Sequence, residues 1–268
     1  AHVIDRPTTL FAAAALWKRG GVPFAFSVPV LCDGTAQSNL GMCYSLQSRN
    51  LVAEMVINQM EAHSYHGAVV LQGCDKTPFA ICSGLAYLDR LRRRRGEAPV
   101  HATFVPAHVL RGGTFPKELR HDLEKLTRKC RERGHSEIAD DIERVMEHIL
   151  QCTSNQAFQG VLIRARKHGL LTVNEHKDLE LRIAANTCHP QGGICAFNGT
   201  GNSCRIAMSA FGLVHPAVEF LTDPPTASQI DTTVDAFMNL IDRDDASVAR
   251  LVVDGFDNAV RVHSATGG

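Results

Sequence analysis

The chain has 268 residues, 44% of them hydrophobic, with 28 Lys plus Arg against 28 Asp plus Glu. That length can bury a real core, as one large domain or two small ones, and the even charge balance gives no bulk pull toward nucleic acid or a membrane. No secretory signal pattern is read and no apolar run approaches the roughly 20 residues that cross a bilayer. Nine cysteines are scattered through a chain too large to need disulfide staples, which fits a reducing, cytoplasmic setting. The absence of Cys-x-x-Cys speaks against a zinc ribbon, and the 13 histidines are dispersed, so structural roles suit them better than metal binding.

Taken in chain order, residues 8–18 read as an Ala-rich helix that Thr8 or Thr9 can cap and Gly20-Gly21 ends. Phe24 to Leu31 reads as a β-like apolar run leading into Cys32-Asp33-Gly34. Ser48 can cap a helix through Gln59, with Leu51 and Met55 at helical spacing. Gly67 to Leu71 has the look of a short buried strand, and Pro78 to Leu91 of a crossover helix. Arg92 to Arg95 reads as a solvated helix terminus favoured by the helix dipole, with a phosphate-contacting patch as the other reading. Val100 to Val105 is the next strand. This β-α-β-α-β order predicts an α/β fold, a parallel sheet flanked by helices in three layers and linked right-handed.

From Lys117 to about Ala185 charge rises and Leu119, Leu123, Leu126, then Ile138, Ile142, Val145 and Ile149, recur at helical spacing. The pattern predicts amphipathic helices inserted into the α/β domain. Thr187 to Asn202 reads as a Gly- and Asn-rich loop feeding a helix, a place where backbone amides and a thiolate can meet a ligand. Ala249 to Ala265 reads as two short apolar pieces around Asp254-Gly255.

The chemistry concentrates at Gly73-Cys74-Asp75-Lys76, directly after the Gly67–Leu71 strand. Open α/β sheets place ligand sites at the carboxyl ends of their strands. A thiolate suits iron and a carboxylate suits magnesium, and neighbours on extended backbone face opposite ways. The plainer reading is a buried structural Cys followed by a surface Asp and Lys.

Four segments in order narrow this: Cys32-Asp33-Gly34; Gly41-Met42 with Tyr44 to Arg49; Gly73 to Lys76; and Gly192 to Ser203. Together they resemble the dihydroxy-acid and sugar-acid dehydratase family. The likeness leans to its 6-phosphogluconate dehydratase branch through Cys-Asp-Gly, Phe104-Val105-Pro106-Ala107 and the Cys195-x-Phe197-x-Gly199-Thr200 pattern. The resemblance implies that residues 1–268 form an amino-terminal domain with a helical insertion at about 117–185, the carboxyl-terminal domain being absent from this chain. It implies that Cys74 and Cys195 hold an iron–sulfur cluster, 2Fe–2S or 4Fe–4S. It also implies that Asp33 and Asp75 hold Mg2+ with Lys76, which is carbamylated in the dihydroxyacid dehydratases. A lysine near a metal in low dielectric gives up its proton more readily and can then add CO2; an ordinary ammonium paired to Asp75 is the alternative.

Some family members carry a third cluster cysteine ahead of the first helix, where this chain reads Arg6-Pro7-Thr8-Thr9. Cys188 is one substitute, and Cys32, Cys43 and Cys204 are others, each also readable as a packed thiol. The implied reaction removes water from a 2,3-dihydroxy acid, such as 6-phosphogluconate or an aldonate, to give a 2-keto-3-deoxy acid. The family places the catalytic base in the carboxyl-terminal domain, so Lys76 is the one catalytic side chain expected here. A homo-oligomer or a pairing with a second-domain polypeptide follows from the same likeness. A non-catalytic or regulatory homologue is the competing reading. A nucleotide-binding protein is disfavoured by the lack of Gly-x-Gly-x-x-Gly after a strand.

Overall fold

The structure is a computed structural model that describes residues 5–31, 33–36, 40–73, 76–195 and 198–267. In chain order its elements are α1 (Asp5–Lys18), α2 (Asp33–Ala36), α3 (Gly41–Ala62), β1 (Gly67–Gln72), α4 (Lys76–Arg94), β2 (His101–Pro106), β3 (Val109–Leu110), α5 (Lys117–Glu132), α6 (Ser136–Met146), α7 (Cys152–Lys167), α8 (Val173–Ala185), β4 (Ile194–Cys195), α9 (Thr200–Ala210), α10 (Ala227–Met238) and α11 (Val248–Thr266). They fall into two compact units, one made of residues 1–109 and 193–268, the other of residues 110–192.

The first unit is the expected α/β body. β1 and β2 pair in parallel, from Gly67 opposite His101 to Gln72 opposite Pro106, joined by α4 as the crossover. β2 is buried at every position, as a strand in a covered parallel sheet should be. On its far edge the Phe104 amide donates to the Leu213 carbonyl at 2.7 Å, and Phe104 bridges in parallel to Val214. Helices flank these strands: α3 packs on α4, α1 on α10, and α4 and α10 on β1 and β2 respectively. The core joins Val52, Val56 and Met60 of α3 with Leu85 and Leu88 of α4, Phe104 of β2 and Ile230 and Val234 of α10.

Asp89 ties this unit together. Its carboxylate is wholly buried and accepts from the Val100 amide at 3.1 Å, from the Ala249 amide at 2.9 Å and from Arg93 Nε at 3.3 Å. One side chain of α4 therefore fixes both the entry to β2 and the first turn of α11. Buried charge is tolerated only when it is satisfied in this way.

Three sequence expectations are corrected here. Phe24 to Leu31 forms no strand but an irregular segment. Phe24 is exposed and stacks on Tyr65 with ring centroids 5.5 Å apart, so the apolar run clothes the surface of α3's carboxyl end instead of joining a ladder. Residues 249–265 are not two pieces but the single helix α11. Gly255 is helical there because a Cβ would approach the Phe211 Cα at 2.8 Å and the Ala210 carbonyl at 2.9 Å; glycine serves close helix packing, not a turn.

The arginine run is a solvated terminus only in part: Arg93, Arg94 and Arg95 are exposed at the end of α4, but Arg92 is not. Arg92 is buried and reaches Glu61 Oε1 at 2.8 Å and the Tyr65 carbonyl at 2.9 Å. Arg95 reaches Glu61 Oε2 at 2.5 Å. The run clamps the end of α4 to the end of α3, and Arg93 adds a bond to Ser247 Oγ at 2.9 Å.

The second unit is helical, built from α5 to α8, and the amphipathic helices expected between Lys117 and Ala185 form there. Leu119, Leu123, Leu126, Ile138, Ile142, Phe158, Leu162 and Ile183 meet in one apolar core. The repeat of Leu and Ile at three and four residues lines one stripe of each helix, and burial of those stripes drives the assembly. Arg131 of α5 bridges to Asp140 and Glu143 of α6 on the outside. Thr172 caps α8 in a reciprocal box with Glu175.

Candidate metal centre

The strand β1 ends at Gln72, and Gly73 leads to Lys76, the first residue of α4. Cys74 and Asp75, between them, lie outside the described residues. Asp33 opens the short helix α2. These two segments are 43 residues apart in sequence, yet Lys76 Nζ donates to Asp33 Oδ1 at 2.7 Å. Ser45, the fifth residue of α3, donates its Oγ to the same oxygen at 2.5 Å. Lys76 is 3% exposed along its side chain and Asp33 23%, so the pair sits at the edge of the body with its cation inside and its carboxylate reachable from solvent. Asp75, the other expected partner of Lys76 as an ordinary ammonium, lies outside the described residues.

Ser45 lies within the Tyr44–Arg49 segment, where the sequence alone gives it no role. Its role follows from α3: Ser45 is buried, and its own carbonyl accepts from Ser48 Oγ at 2.6 Å. The Ser45 hydroxyl faces α2 through its bond to Asp33. A second feature escaped the sequence altogether. Gln72 is 1% exposed, and neither its amide oxygen nor its amide nitrogen has a hydrogen-bond partner among the described residues. Gln72 lines a cavity of about 10 Å³ with Asp5, Thr8, Leu71, Val105, Pro106, Ala107 and Pro225. A buried carboxamide without protein partners costs on the order of 1–3 kcal/mol, and this one sits at the carboxyl end of β1, the end at which open α/β sheets place ligands.

Cys195 ends β4 and is half-buried. Its neighbour Ile194 donates from its amide to the His108 carbonyl at 2.7 Å. After it comes the expected helix, α9, which begins at Thr200, inside the stretch read as loop through Asn202. Asn198 Nδ2 donates to the Thr266 carbonyl at 2.5 Å, holding this turn against the end of α11. Of the alternative thiols, Cys204 is a buried, packed thiol, whereas Cys43 and Cys188 are exposed; packing is not their role. Cys32 lies outside the described residues. Among the described residues no group of three or more His, Cys, Asp or Glu could hold a metal ion.

Arg205 of α9 is 2% exposed. Its Nη2 donates to Asn202 Oδ1 at 2.7 Å and its guanidinium lies 5.0 Å from the centre of the Phe220 ring. Its Nε and Nη1 have no partner among the described residues. Burial pulls its pKa below the usual guanidinium value, and Glu219 opposes the shift.

Residues 2–91 match the family model described as dihydroxy-acid/6-phosphogluconate dehydratase N-terminal. The match contains both Asp33 and Lys76, the two ends of the ion pair. Over residues 2–91 the chain is thus similar to the dihydroxy-acid/6-phosphogluconate dehydratase family. It is 28% identical over 215 residues to a dihydroxy-acid dehydratase of Archaeoglobus fulgidus, covering 80% of this chain and 30% of the relative. It is 28% identical over 252 residues to one of Sulfurisphaera tokodaii, covering 93% and 36%. A third, from Thermodesulfovibrio yellowstonii, is 38% identical over 88 residues, 33% of this chain and 16% of that one. The chain thus spans about a third of the length of the curated relatives it matches over most of its own. No helix among the described residues is long and apolar enough to cross a membrane.

Proposed function

We propose that this chain is the metal-binding, amino-terminal part of a hydro-lyase that dehydrates a 2,3-dihydroxy acid to a 2-keto-3-deoxy acid. The observation that carries the reading is the Lys76–Asp33 pair: it joins the Cys-Asp-Gly and Gly-Cys-Asp-Lys segments into one polar cluster at the carboxyl end of β1. A half-reachable carboxylate, its oxygen held by a lysine and a serine, fits a hard divalent cation. In this reading Asp33 and Asp75 hold Mg2+ with Lys76, and Cys74 and Cys195 hold an iron–sulfur cluster as its thiolate ligands. When bound, the two supply Lewis acidity toward the substrate's carboxylate and hydroxyl oxygens.

This chain's own side chains do the positioning. Ser45 and Lys76 fix the Asp33 carboxylate through Oδ1, so the second carboxylate oxygen keeps a set direction. Lys76 holds a proton at Nζ against Asp33; release of that proton would free the amine to add CO2, as the resemblance of the Gly73–Lys76 segment implies. The base that takes the C2 proton and the remaining ligands lie in a carboxyl-terminal domain, supplied by the rest of a longer polypeptide or by a second chain, in a homo-oligomeric or mixed assembly. The sugar-acid branch, with 6-phosphogluconate or an aldonate as substrate, is favoured by the Cys195-x-Phe197-x-Gly199-Thr200 pattern; the relatives named above are dihydroxy-acid dehydratases.

Anaerobic purification with cluster assembly intact tests the reading. Brown protein carrying iron and acid-labile sulfide, lost in Cys195→Ser, is expected. With a carboxyl-terminal domain supplied, 2-keto acid should form from dihydroxy acids and stop in Asp33→Asn. Colourless, iron-free wild-type protein removes the cluster reading. Iron-loaded protein that stays inactive with every such domain leaves the regulatory homologue.

A further inference from the structure

The second unit contains a feature independent of the dehydratase reading. Cys152 is the first residue of α7 and half-buried; Cys188, 36 positions later in the sequence, is exposed. The strand-like pair Gly112-Gly113 brings them together. Gly112 bridges antiparallel to Cys188, and Gly113 to Leu150, with the Gly113 amide donating to the Leu150 carbonyl at 2.7 Å. The next turn is pinned as well, the His189 amide donating to the Arg111 carbonyl at 3.3 Å. Only glycine fits at either position, because a Cβ on Gly112 would run into the Ile149 side chain and one on Gly113 into the Asn186 carbonyl. One short segment therefore holds both cysteine-bearing stretches side by side, and the Cys152 and Cys188 thiols share a hydrogen bond.

We propose that Cys152 and Cys188 form a dithiol site that takes oxidising equivalents from a low-molecular-weight disulfide and closes to an intramolecular disulfide. Two thiols in contact could instead hold a soft metal ion, but among the described residues no third His, Cys, Asp or Glu joins them. The exposed sulfur, Cys188, is the one an external disulfide can reach. Its thiolate attacks one sulfur of the reagent, forming a mixed disulfide and releasing one thiolate. Cys152 then gives up its proton to solvent and attacks the Cys188 Sγ, forming the Cys152–Cys188 bond and expelling the second thiolate. Two protein thiols are oxidised and one external disulfide is reduced to two thiols. The hydrogen bond to Cys188, and then burial, hold Cys152 protonated above the usual thiol range, so the second step is the slow one near neutrality. The closed ring encloses all of α7 and α8, which restricts the unfolded chain and stabilises the helical unit.

The test is oxidised glutathione added to the reduced 268-residue chain under nitrogen, followed by denaturation, alkylation and peptide mass mapping. The Cys152 and Cys188 peptides should appear joined and about 2 Da lighter than the sum of their thiol forms, from the two hydrogens lost in the exchange. Dithiothreitol should separate them, and two fewer of the nine cysteines should alkylate. Cys152→Ser should stop at a glutathione adduct on Cys188, and Cys188→Ser should leave Cys152 alkylatable. The proposal is overturned if the wild-type chain leaves both thiols alkylatable, ends as a Cys188 adduct beside a free Cys152, or joins either residue to a different cysteine. None of these outcomes depends on iron, magnesium or dehydratase activity.

Discussion

The two units bury different things. The α/β body encloses Lys76, Asp89, Arg92 and Arg205 at 6% exposure or less, and the unpartnered Gln72 carboxamide. The helical unit buries Leu, Ile, Val and Phe with Thr127, Ser154, His176 and Thr187 as its buried polar residues, and among the described residues no buried Lys, Arg, Asp or Glu. Its charges sit outside as ion pairs such as Arg131 with Glu143, which contribute little. A scaffold that only has to fold chooses the second arrangement, since each buried charge must be offset by well-placed bonds. The first arrangement makes sense where polar groups are kept for a ligand. In the body Asp89 and Arg92 use their buried charge to tie elements together, which leaves Lys76, Gln72 and Arg205 as the buried polar groups a ligand could use; the helical unit has one thiol pair at its edge.

The largest effects should separate the units by the kind of interaction each relies on. Asp89→Ala orphans the Val100 and Ala249 amides and frees Arg93. It should cost about 3–4 kcal/mol, the scale for breaking a buried charged network. Leu123→Ala, at a fully buried position of α5, should cost about 3 kcal/mol through lost burial and the cavity left behind. Denaturant melts followed by hydrogen exchange of each unit should show the first change in the body's protection and the second in the helical unit's. Equal loss of protection everywhere from both variants would show that the units unfold as one, and the contrast drawn above would have no energetic meaning.

How much of this was legible beforehand depends on how local the deciding interaction is. Helical stripes such as Leu119, Leu123 and Leu126 announce themselves because neighbours three and four apart share a face. β1 and β2 read correctly because both are short apolar runs between turn signals. Phe24 to Leu31 has the same look, but a strand needs a partner, and pairing is settled by the distant chain; here the ladder's other side goes to Leu213–Val214. Gly255 reads as a break until Phe211 is seen against it. At the candidate site the motifs single out Asp33 and Lys76, which the structure brings into contact, while Cys74 and Asp75 lie outside the described residues. Ser45 and Gln72 were missed because serine on a helix and glutamine on a strand carry no signal until the body turns one toward Asp33 and leaves the other unpartnered. Cys188 was read as a candidate ligand or a packed thiol; its exposure and its contact with Cys152 are long-range facts.

Arg205 sharpens the comparison with the opposite sign. If its unpartnered donors are a plain structural cost, Arg205→Met should raise stability by about 1–2 kcal/mol, as replacing buried ionic groups with apolar ones often does. The lost bond to Asn202 and the Phe220 contact work against that gain. A loss of similar size, together with an added small anion that stabilises the wild type but not the variant, would mean the donors are occupied in solution.

In the helical unit the matching probe is a cap. Thr172→Ala removes the side-chain half of the box with Glu175 and should cost about 1 kcal/mol. The carboxylate of Glu175 is held below its usual pKa by the Thr172 amide and then its hydroxyl, so the variant should also let Glu175 titrate closer to an ordinary glutamate. Carbon-detected NMR of the glutamate carboxyls reads that change directly.

The smallest effect belongs to Glu61, where the two helix ends of the body are clamped. Arg95, with Arg92 helping, pulls the Glu61 pKa below its ordinary value of 4.5. A carboxyl depressed on folding adds stability above the unfolded pKa and loses it as pH falls through the lower, folded one. The wild type should therefore exceed Glu61→Gln by about 0.5–1 kcal/mol near pH 7, a modest figure because Arg95 and Glu61 are partly solvated. That margin should shrink steadily below about pH 4.5. The helical unit gives the control: Arg131 depresses Glu143 in the same direction, but that carboxyl lies on the open surface, so Glu143→Gln should show a smaller margin that added salt removes. A Glu143 margin as large and as salt-resistant as that of Glu61 would erase the distinction between a clamp set into the body and an ion pair laid on a surface.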